Sequence, residues 1–179
     1  RVLFFGVTDQ VGNAVPNATV VLSFATTQNG FAMPVALAPP SSVNVNVAAD
    51  FDGDGHVDLV HDFFATPGTN EVSGLQMRRG LGAGAFGPPV ALDGGIVNGC
   101  RIKQMATGDF DADGRVDVAV LGCGLQILNP TSEGRLVPGV AFPLGLGRLR
   151  RVDLDNDGRD DLVGVFLDRG EAYAFTQAG

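Results

Sequence analysis

The sequence predicts an all-β protein built from a repeated unit of four antiparallel strands, and three observations support this prediction. The chain of 179 residues holds 26 Gly and 10 Pro, a proportion typical of short strands joined by tight turns. Apolar and polar residues alternate in stretches such as 43–47, which is the period of a half-buried strand. One loop pattern occurs three times, and no window shows helical periodicity.

The repeated loop carries four aspartates and one glycine at fixed positions. Its copies read DFDGDGHVD (50–58), DFDADGRVD (109–117) and DLDNDGRDD (153–161). Aspartate occupies positions 1, 3, 5 and 9, glycine occupies position 6, and position 2 is apolar. We call these copies the first, second and third loops and number their residues by these nine positions.

The segments around the loops repeat as well. One apolar strand is expected before each loop and further strands after it, and segment 17–37 matches the second half of this unit. Units of about 45 to 60 residues with four strands each are typical of β-propeller blades. A β-sandwich does not explain the repeat, and a β-solenoid requires a shorter period.

The repeat predicts blade boundaries and an incomplete ring. We expect a partial blade lacking its first strand at 1–40, blades at 41–95 and 96–145, and a partial blade lacking its last strand at 146–179. The opening residues 1–4 align with a strand that follows a loop. About three and a half blades are fewer than a closed propeller contains, so we expect further blades from a longer protein or from another chain.

The chemistry of the loops indicates calcium. Ca²⁺ accepts roughly six to eight oxygen ligands in irregular geometry, and glycine at position 6 permits the sharp turn that directs carboxylates inward. The position-7 residue of each loop is expected to contribute its backbone carbonyl. The predicted ligands are Asp50, Asp52, Asp54, His56, Asp58, Asp109, Asp111, Asp113, Arg115, Asp117, Asp153, Asp155, Asp157, Arg159 and Asp161. A metal-free acidic turn and a Mg²⁺ site are the alternatives, although Mg²⁺ demands stricter geometry.

These loops, together with the segment GAGAFGPPVAL (82–92), resemble the FG-GAP/VCBS repeat. That repeat builds the seven-bladed propeller of integrin alpha subunits and occurs in many bacterial secreted proteins. The resemblance covers nearly the whole chain and implies that loop positions 1, 3, 5 and 9 ligate Ca²⁺ and rigidify a blade. Ala112 departs from Gly53 and Asn156 at position 4, so strain is expected in the second loop.

Charge and composition exclude several classes. The net charge is −8, which does not suit nucleic-acid binding. The aspartates of the loops account for this acidity, since the rest of the chain carries an excess of basic residues. No run of about 18 apolar residues predicts a membrane span. The chain starts at Arg1 without a signal-peptide pattern, so we expect a processed product or a fragment.

The two cysteines are placed to form a disulfide. Cys100 precedes the second loop and Cys123 follows it, and pairing Gly108 with Asp117 brings the two cysteines to nearly the same register. We therefore predict a cross-strand disulfide, with two free buried thiols as the alternative. A disulfide fits a secreted or cell-surface protein, in an environment where Ca²⁺ is also abundant.

The remaining polar residues suggest no catalytic site. His56 and His61 are the only histidines, and His61 is expected at the surface. Neither belongs to a Ser/His/Asp or Cys/His arrangement, and calcium accounts for the paired carboxylates. Arg78 and Arg79 are expected to be solvated or to act as counter-charges to the loops.

The sequence thus predicts a non-enzymatic, secreted, calcium-stabilised propeller segment that binds a protein or carbohydrate ligand. One alternative is an accessory or catalytic part of a secreted enzyme such as a polysaccharide lyase or a phospholipase. Another is a structural scaffold in a larger surface assembly. The breadth of the family leaves these alternatives open.

Overall fold

The computed structural model describes residues 20–22, 25–26, 30–31, 35–37, 45–63, 74–166 and 170–177. The prediction for residues 1–4 lies outside this part of the chain. The described residues form fifteen β-strands and one short 3-10 helix at Gly95–Val97. The expected all-β class is therefore confirmed, including the near absence of helix among these residues.

Three antiparallel sheets contain most of the strands, and in each sheet consecutive strands are neighbours. The first sheet contains β5 (Asn46–Ala49), β6 (Asp58–Phe63), β7 (Gly74–Arg78) and β8 (Val90–Leu92). The second sheet contains β9 (Gln104–Gly108), β10 (Asp117–Leu121), β11 (Leu125–Pro130) and β12 (Leu136–Phe142). The third sheet contains β13 (Arg148–Val152), β14 (Asp161–Phe166) and β15 (Glu171–Phe175).

Each aspartate loop joins the first strand of its sheet to the second, as predicted. The residue before position 1 pairs directly with position 9 in all three sheets, in the pairs Ala49 with Asp58, Gly108 with Asp117, and Val152 with Asp161. Every loop therefore starts and ends next to two residues that pair directly across its hairpin. This shared register fixes the loops in equivalent places.

Four short strands precede these sheets. They are β1 (Val20–Leu22), β2 (Ala25–Thr26), β3 (Gly30–Phe31) and β4 (Val35–Leu37). Strand β1 pairs with β4 and β2 pairs with β3, both antiparallel. Strand β8 pairs with β7 in the same antiparallel way, and the match between this segment and the end of the repeated unit stays a prediction.

The three sheets stack, and the second sheet lies in the middle. Every residue of β10 is buried, because alternate side chains point to opposite faces. Val118 and Val120 pack in a core with Val60 and Met77 of the first sheet. On the other face a second core unites residues of the second and third sheets, namely Ala119, Leu121, Leu125, Ile127, Leu146, Leu149, Leu162 and Phe166. The first strands also meet, since β9 contacts both β5 and β13.

The predicted disulfide is present between Cys100 and Cys123, whose Cα atoms are 5.7 Å apart. Asp117 pairs with Gly108 as expected. The cysteines lie just beyond the ends of β9 and β10, so the bond closes the end of the hairpin opposite the second loop. The alternative of two free thiols is wrong.

The expected surface position of His61 is also wrong. Its side chain is 3% exposed, and its Nδ1 donates a hydrogen bond to the Asp62 backbone oxygen at 2.9 Å. Burial lowers the pKa of this imidazole, because desolvation disfavours the charged form. No helix in the described part of the chain is long and apolar enough to cross a membrane.

Candidate metal centre

The carboxylate at position 1 organises each loop through backbone hydrogen bonds. The position-6 glycine N–H donates to its Oδ2 at 2.9 Å in the first and second loops and at 3.1 Å in the third. The position-5 N–H donates to its Oδ1 at 3.1, 3.1 and 3.2 Å. The three loops therefore share one conformation, as their shared sequence predicts.

That conformation needs a left-handed backbone at two positions. The position-6 glycines have φ values of 85°, 82° and 84°, which glycine adopts without steric cost. At position 4 the φ values are 74° for Gly53, 60° for Ala112 and 61° for Asn156. Asparagine tolerates this region better than alanine does. The strain expected at Ala112 therefore has a structural basis.

The position-9 aspartate closes each loop from inside the protein. Its Oδ2 accepts a hydrogen bond from the position-2 N–H, at 2.9 Å from Phe51, 2.7 Å from Phe110 and 2.8 Å from Leu154. All three position-9 aspartates are buried, at no more than 2% exposure. Each position-9 aspartate therefore connects the backbone at position 2 of its loop to the buried interior of the protein.

The structure brings together the carboxylates of positions 1, 3 and 9 in every loop. In each loop the three oxygens that could ligate a metal lie within 4.8 Å of one another. Three groups result, formed by Asp50, Asp52 and Asp58; by Asp109, Asp111 and Asp117; and by Asp153, Asp155 and Asp161. The sequence predicted all nine of these residues as ligands.

The position-5 aspartates are not part of these groups. The Oδ1 atom of each accepts the position-7 N–H, at 2.8 Å for Asp54, 2.8 Å for Asp113 and 2.9 Å for Asp157. Arg115 Nε also donates to Asp113 at 2.8 Å, and Arg159 Nε lies 3.6 Å from Asp157. In the second and third loops the arginine at position 7 thus neutralises the negative charge of the position-5 aspartate.

Three carboxylates this close repel one another strongly. At an effective dielectric of about 20, two unit charges separated by about 4.8 Å interact by roughly 3 kcal/mol. Burial, and to a smaller extent the charges of Asp111, Asp113 and Asp109, raises the pKa of Asp117 to about 7. Burial also raises the pKa of Asp58. A bound cation would relieve this repulsion.

One buried carboxylate oxygen in the second loop lacks a hydrogen-bond donor among the described residues. Asp117 Oδ1 is inaccessible to solvent and accepts no hydrogen bond from any residue that the structure describes. A buried carboxylate oxygen without a donor is costly. The donor set of the loops consists only of oxygens, which suits a hard divalent cation. The described residues therefore fit Ca²⁺.

Contacts from other segments reach the first and second loops. Arg79 Nη1 lies 3.2 Å from Asp52 Oδ2, while its Nη2 donates to the carbonyl oxygens of Glu133 and Gly134 at 3.0 and 3.2 Å. The counter-charge role predicted for Arg79 is therefore confirmed. Asn129 Nδ2 donates to Asp111 Oδ2, a contact that sequence reasoning missed.

The third sheet also holds the second loop. Asp160 Oδ2 accepts the Asp109 N–H at 3.0 Å and lies 3.1 Å from Arg151 Nη1. Gln177 Nε2 donates to the Asp109 carbonyl oxygen at 2.5 Å. Asp160 precedes position 9 of the third loop and Gln177 follows β15, so only the stacking of sheets brings these residues to Asp109.

A groove of about 500 Å³ lies between the first and second sheets. Its apolar wall includes Val90 and Val137, which are 58% and 40% exposed. Arg79, Asp93 and Arg135 also line it. Backbone and side-chain hydrogen bonds from Gly95 and Asn98 lower the pKa of Asp93, so this carboxylate is ionised at neutral pH.

No family model matches the chain, and no curated protein matches it.

Proposed function

We propose that the chain binds Ca²⁺ at its three aspartate loops and that the bound ions stabilise a secreted binding module. One observation carries this proposal: the same group of three carboxylates recurs in three loops of one conformation. Aspartates at positions 1, 3 and 9 would hold the ion, with the position-5 carboxylate and the position-7 carbonyl completing the set. The unpartnered oxygen of Asp117 adds support.

Calcium suits these loops better than magnesium. The aspartates at positions 1 and 3 stand on a turn and are half-buried or exposed as residues, although the side chain of Asp52 is only 6% exposed. Ca²⁺ accepts flexible coordination, whereas Mg²⁺ requires near-ideal octahedral geometry and keeps several of its waters. Calcium sites of extracellular modules have dissociation constants on the order of 10⁻⁴ to 10⁻³ M.

The role we propose for the ions is structural. Each loop joins two strands of one sheet, and two of the loops contact a neighbouring sheet. Arg79 links Asp52 to the turn that contains Gly134, and Gln177 links Asp109 to the end of β15. Ordering a loop therefore orders the contact between sheets as well.

We further propose that the three sheets are blades of an FG-GAP/VCBS-type β-propeller. The sheets stack in chain order, and the first strands β5, β9 and β13 lie side by side, as the inner strands of propeller blades do. The missing blades would come from the same longer protein or from another chain. The disulfide favours an extracellular location.

The ligand would be a protein or a carbohydrate, and the groove between the first and second sheets is a suitable place for it. Its volume lies within the range of ligand sites, and its exposed valines and arginines could contact an apolar and acidic ligand. Arg135 is exposed and forms no ion pair with the described residues, so its side chain is available for binding.

A binding screen tests this function. Wild-type protein should be screened against glycan and extracellular-protein arrays, with and without Ca²⁺. We expect calcium-dependent binding that Arg135→Glu weakens by about tenfold, a typical effect of losing a charged contact. Arg148→Glu, at an exposed position on β13, is the matched control. Failure to retain any ligand, or equal binding by Arg135→Glu, would contradict the proposal.

A further inference from the structure

The position-9 aspartates differ in the environment of their second carboxylate oxygen. Asp58 Oδ1 accepts the Gly80 N–H at 2.8 Å, and Asp161 Oδ1 accepts the Gln177 N–H at 3.2 Å. Asp117 Oδ1 is buried, and within the described part of the chain it accepts no hydrogen bond. The second loop is therefore chemically distinct from its two copies.

The strand register explains this difference. The residue after position 9 pairs with the third strand of its sheet in the pairs Leu59 with Arg78, Val118 with Leu128, and Leu162 with Phe175. Two residues beyond these partners stand Gly80, Pro130 and Gln177. Proline has no backbone N–H. Pro130 thus occupies the place from which the other two sheets donate to position 9.

We propose that Pro130 makes the second loop the cation site of highest affinity in this chain, so that this loop fills first. The inference rests on the proposed calcium binding. In the first and third loops the position-9 carboxylate already shares its charge with two N–H donors. In the second loop the Phe110 N–H is the only donor to it among the described residues, and a bound cation would supply the positive partner that its second oxygen lacks.

The contacts of the carboxylates at positions 1 and 3 favour the same order, while the pairs of Arg115 with Asp113 and of Arg159 with Asp157 are common to the second and third loops. In the first loop, the guanidinium of Arg79 lies 3.2 Å from Asp52 and repels a second cation. In the third loop, Asp153 and Asp155 are both exposed, so water screens their attraction for an ion. The corresponding neighbour in the second loop is the uncharged amide of Asn129.

Nuclear magnetic resonance can follow each loop separately. The position-6 amides of Gly55, Gly114 and Gly158 donate to the position-1 carboxylates, so their resonances should report occupancy loop by loop. Metal-depleted protein is titrated with CaCl₂ and ¹H–¹⁵N spectra are recorded. We expect the Gly114 resonance to shift at about tenfold lower free Ca²⁺ than the Gly55 and Gly158 resonances. A tenfold difference corresponds to about one missing hydrogen bond.

The Pro130→Ala variant tests whether the missing N–H of Pro130 causes the higher Ca²⁺ affinity of the second loop. The alanine restores an N–H opposite Asp117, so the Gly114 transition should move to about tenfold higher Ca²⁺, while the Gly55 and Gly158 transitions stay in place. Pro138→Ala is the matched control, because Pro138 lies on the next strand and pairs with Leu128. This control should leave all three transitions unchanged.

The outcomes separate this inference from the proposed function. Equal transitions for the three glycines in wild-type protein, or a Gly114 transition unmoved by Pro130→Ala, would overturn the inference and leave calcium binding intact. Unchanged glycine resonances up to about 10 mM Ca²⁺, above the range of extracellular calcium modules, would overturn both. The comparison of the three glycine transitions in wild-type protein tests the inference even if Pro130→Ala does not fold.

Discussion

The loops differ most clearly at position 4, where the backbone is left-handed and the energetic cost depends on which residue stands there. Gly53, Ala112 and Asn156 all have positive φ values, but only glycine adopts them freely. Ala112 therefore holds the second loop in a conformation that its side chain disfavours. The strain is local, because the hydrogen bonds that position 1 accepts from the N–H groups of positions 5 and 6 match those of the copies.

Replacing this alanine should stabilise the protein. Ala112→Gly removes the left-handed penalty, and we expect the free energy of unfolding to rise by about 1 kcal/mol. Urea denaturation of metal-depleted protein measures this change. Asn156→Gly is the control and should have a smaller effect, because asparagine tolerates positive φ. An unchanged or lower stability of Ala112→Gly would contradict the assigned strain.

Individual residues were predictable where a local rule applies. The φ demands of positions 4 and 6 follow from the sequence pattern, and so does the grouping of aspartates. The burial of His61 did not follow, because packing against one face of a strand depends on distant parts of the chain. Pro130 was visible in the sequence, but its effect on Asp117 depends on the pairing of two strands.

At the scale of elements, the hairpin that carries the second loop combines a strained turn, a disulfide and a buried acid. The disulfide joins Cys100 to Cys123 at one end, and Asp117 closes the other. This hairpin lies in the central sheet, where both faces are covered. Burial and neighbouring carboxylates raise the pKa of Asp117 from its ordinary 3.8 to about 7.

This raised pKa predicts a pH-dependent stability in the absence of metal. Between pH 3.8 and about 7 the folded state holds a proton on Asp117 that the unfolded state releases. The contribution of Asp117 is therefore complete below pH 3.8 and is lost as the pH rises through about 7. His61 acts in the opposite direction, because its pKa is lowered by burial.

Comparison with Asp117→Asn isolates the contribution of Asp117. Urea denaturation of both proteins in metal-depleted buffer should give a stability difference, wild type minus variant, that falls as the pH rises from about 4 to 7. Saturating Ca²⁺ should abolish this fall for wild type, since the ion replaces the proton. A difference that stays constant with pH would refute the assignment.

The strands themselves were largely predictable. Alternation and the fixed spacing from each loop placed the first, second and third strands of the three sheets, and the register between Gly108 and Asp117 placed the disulfide. Contacts between sheets could not be predicted in the same way. Asn129 and Gln177 reach the second loop only because particular strands and sheets lie next to one another.

At the scale of the whole molecule, the loops and the stacked cores depend on one another. The two cores unite successive sheets, and contacts from the loops cross between the same sheets at Arg79 and Gln177. The repulsion among nine carboxylates grouped in three loops opposes this stack. Cations in the loops would convert that repulsion into attraction and stabilise the folded chain by mass action.

Isothermal titration calorimetry of metal-depleted protein with Ca²⁺ measures directly whether the three carboxylate groups bind the ion. We expect binding of about three ions per chain, one for each carboxylate group. Asp50→Asn, Asp109→Asn and Asp153→Asn should each remove one of these sites. At free Ca²⁺ of about 100 times its dissociation constant, each site should add about 2.7 kcal/mol to the free energy of unfolding. A titration with no binding heat, together with identical melting in Ca²⁺ and in chelator, would contradict calcium binding by the loops.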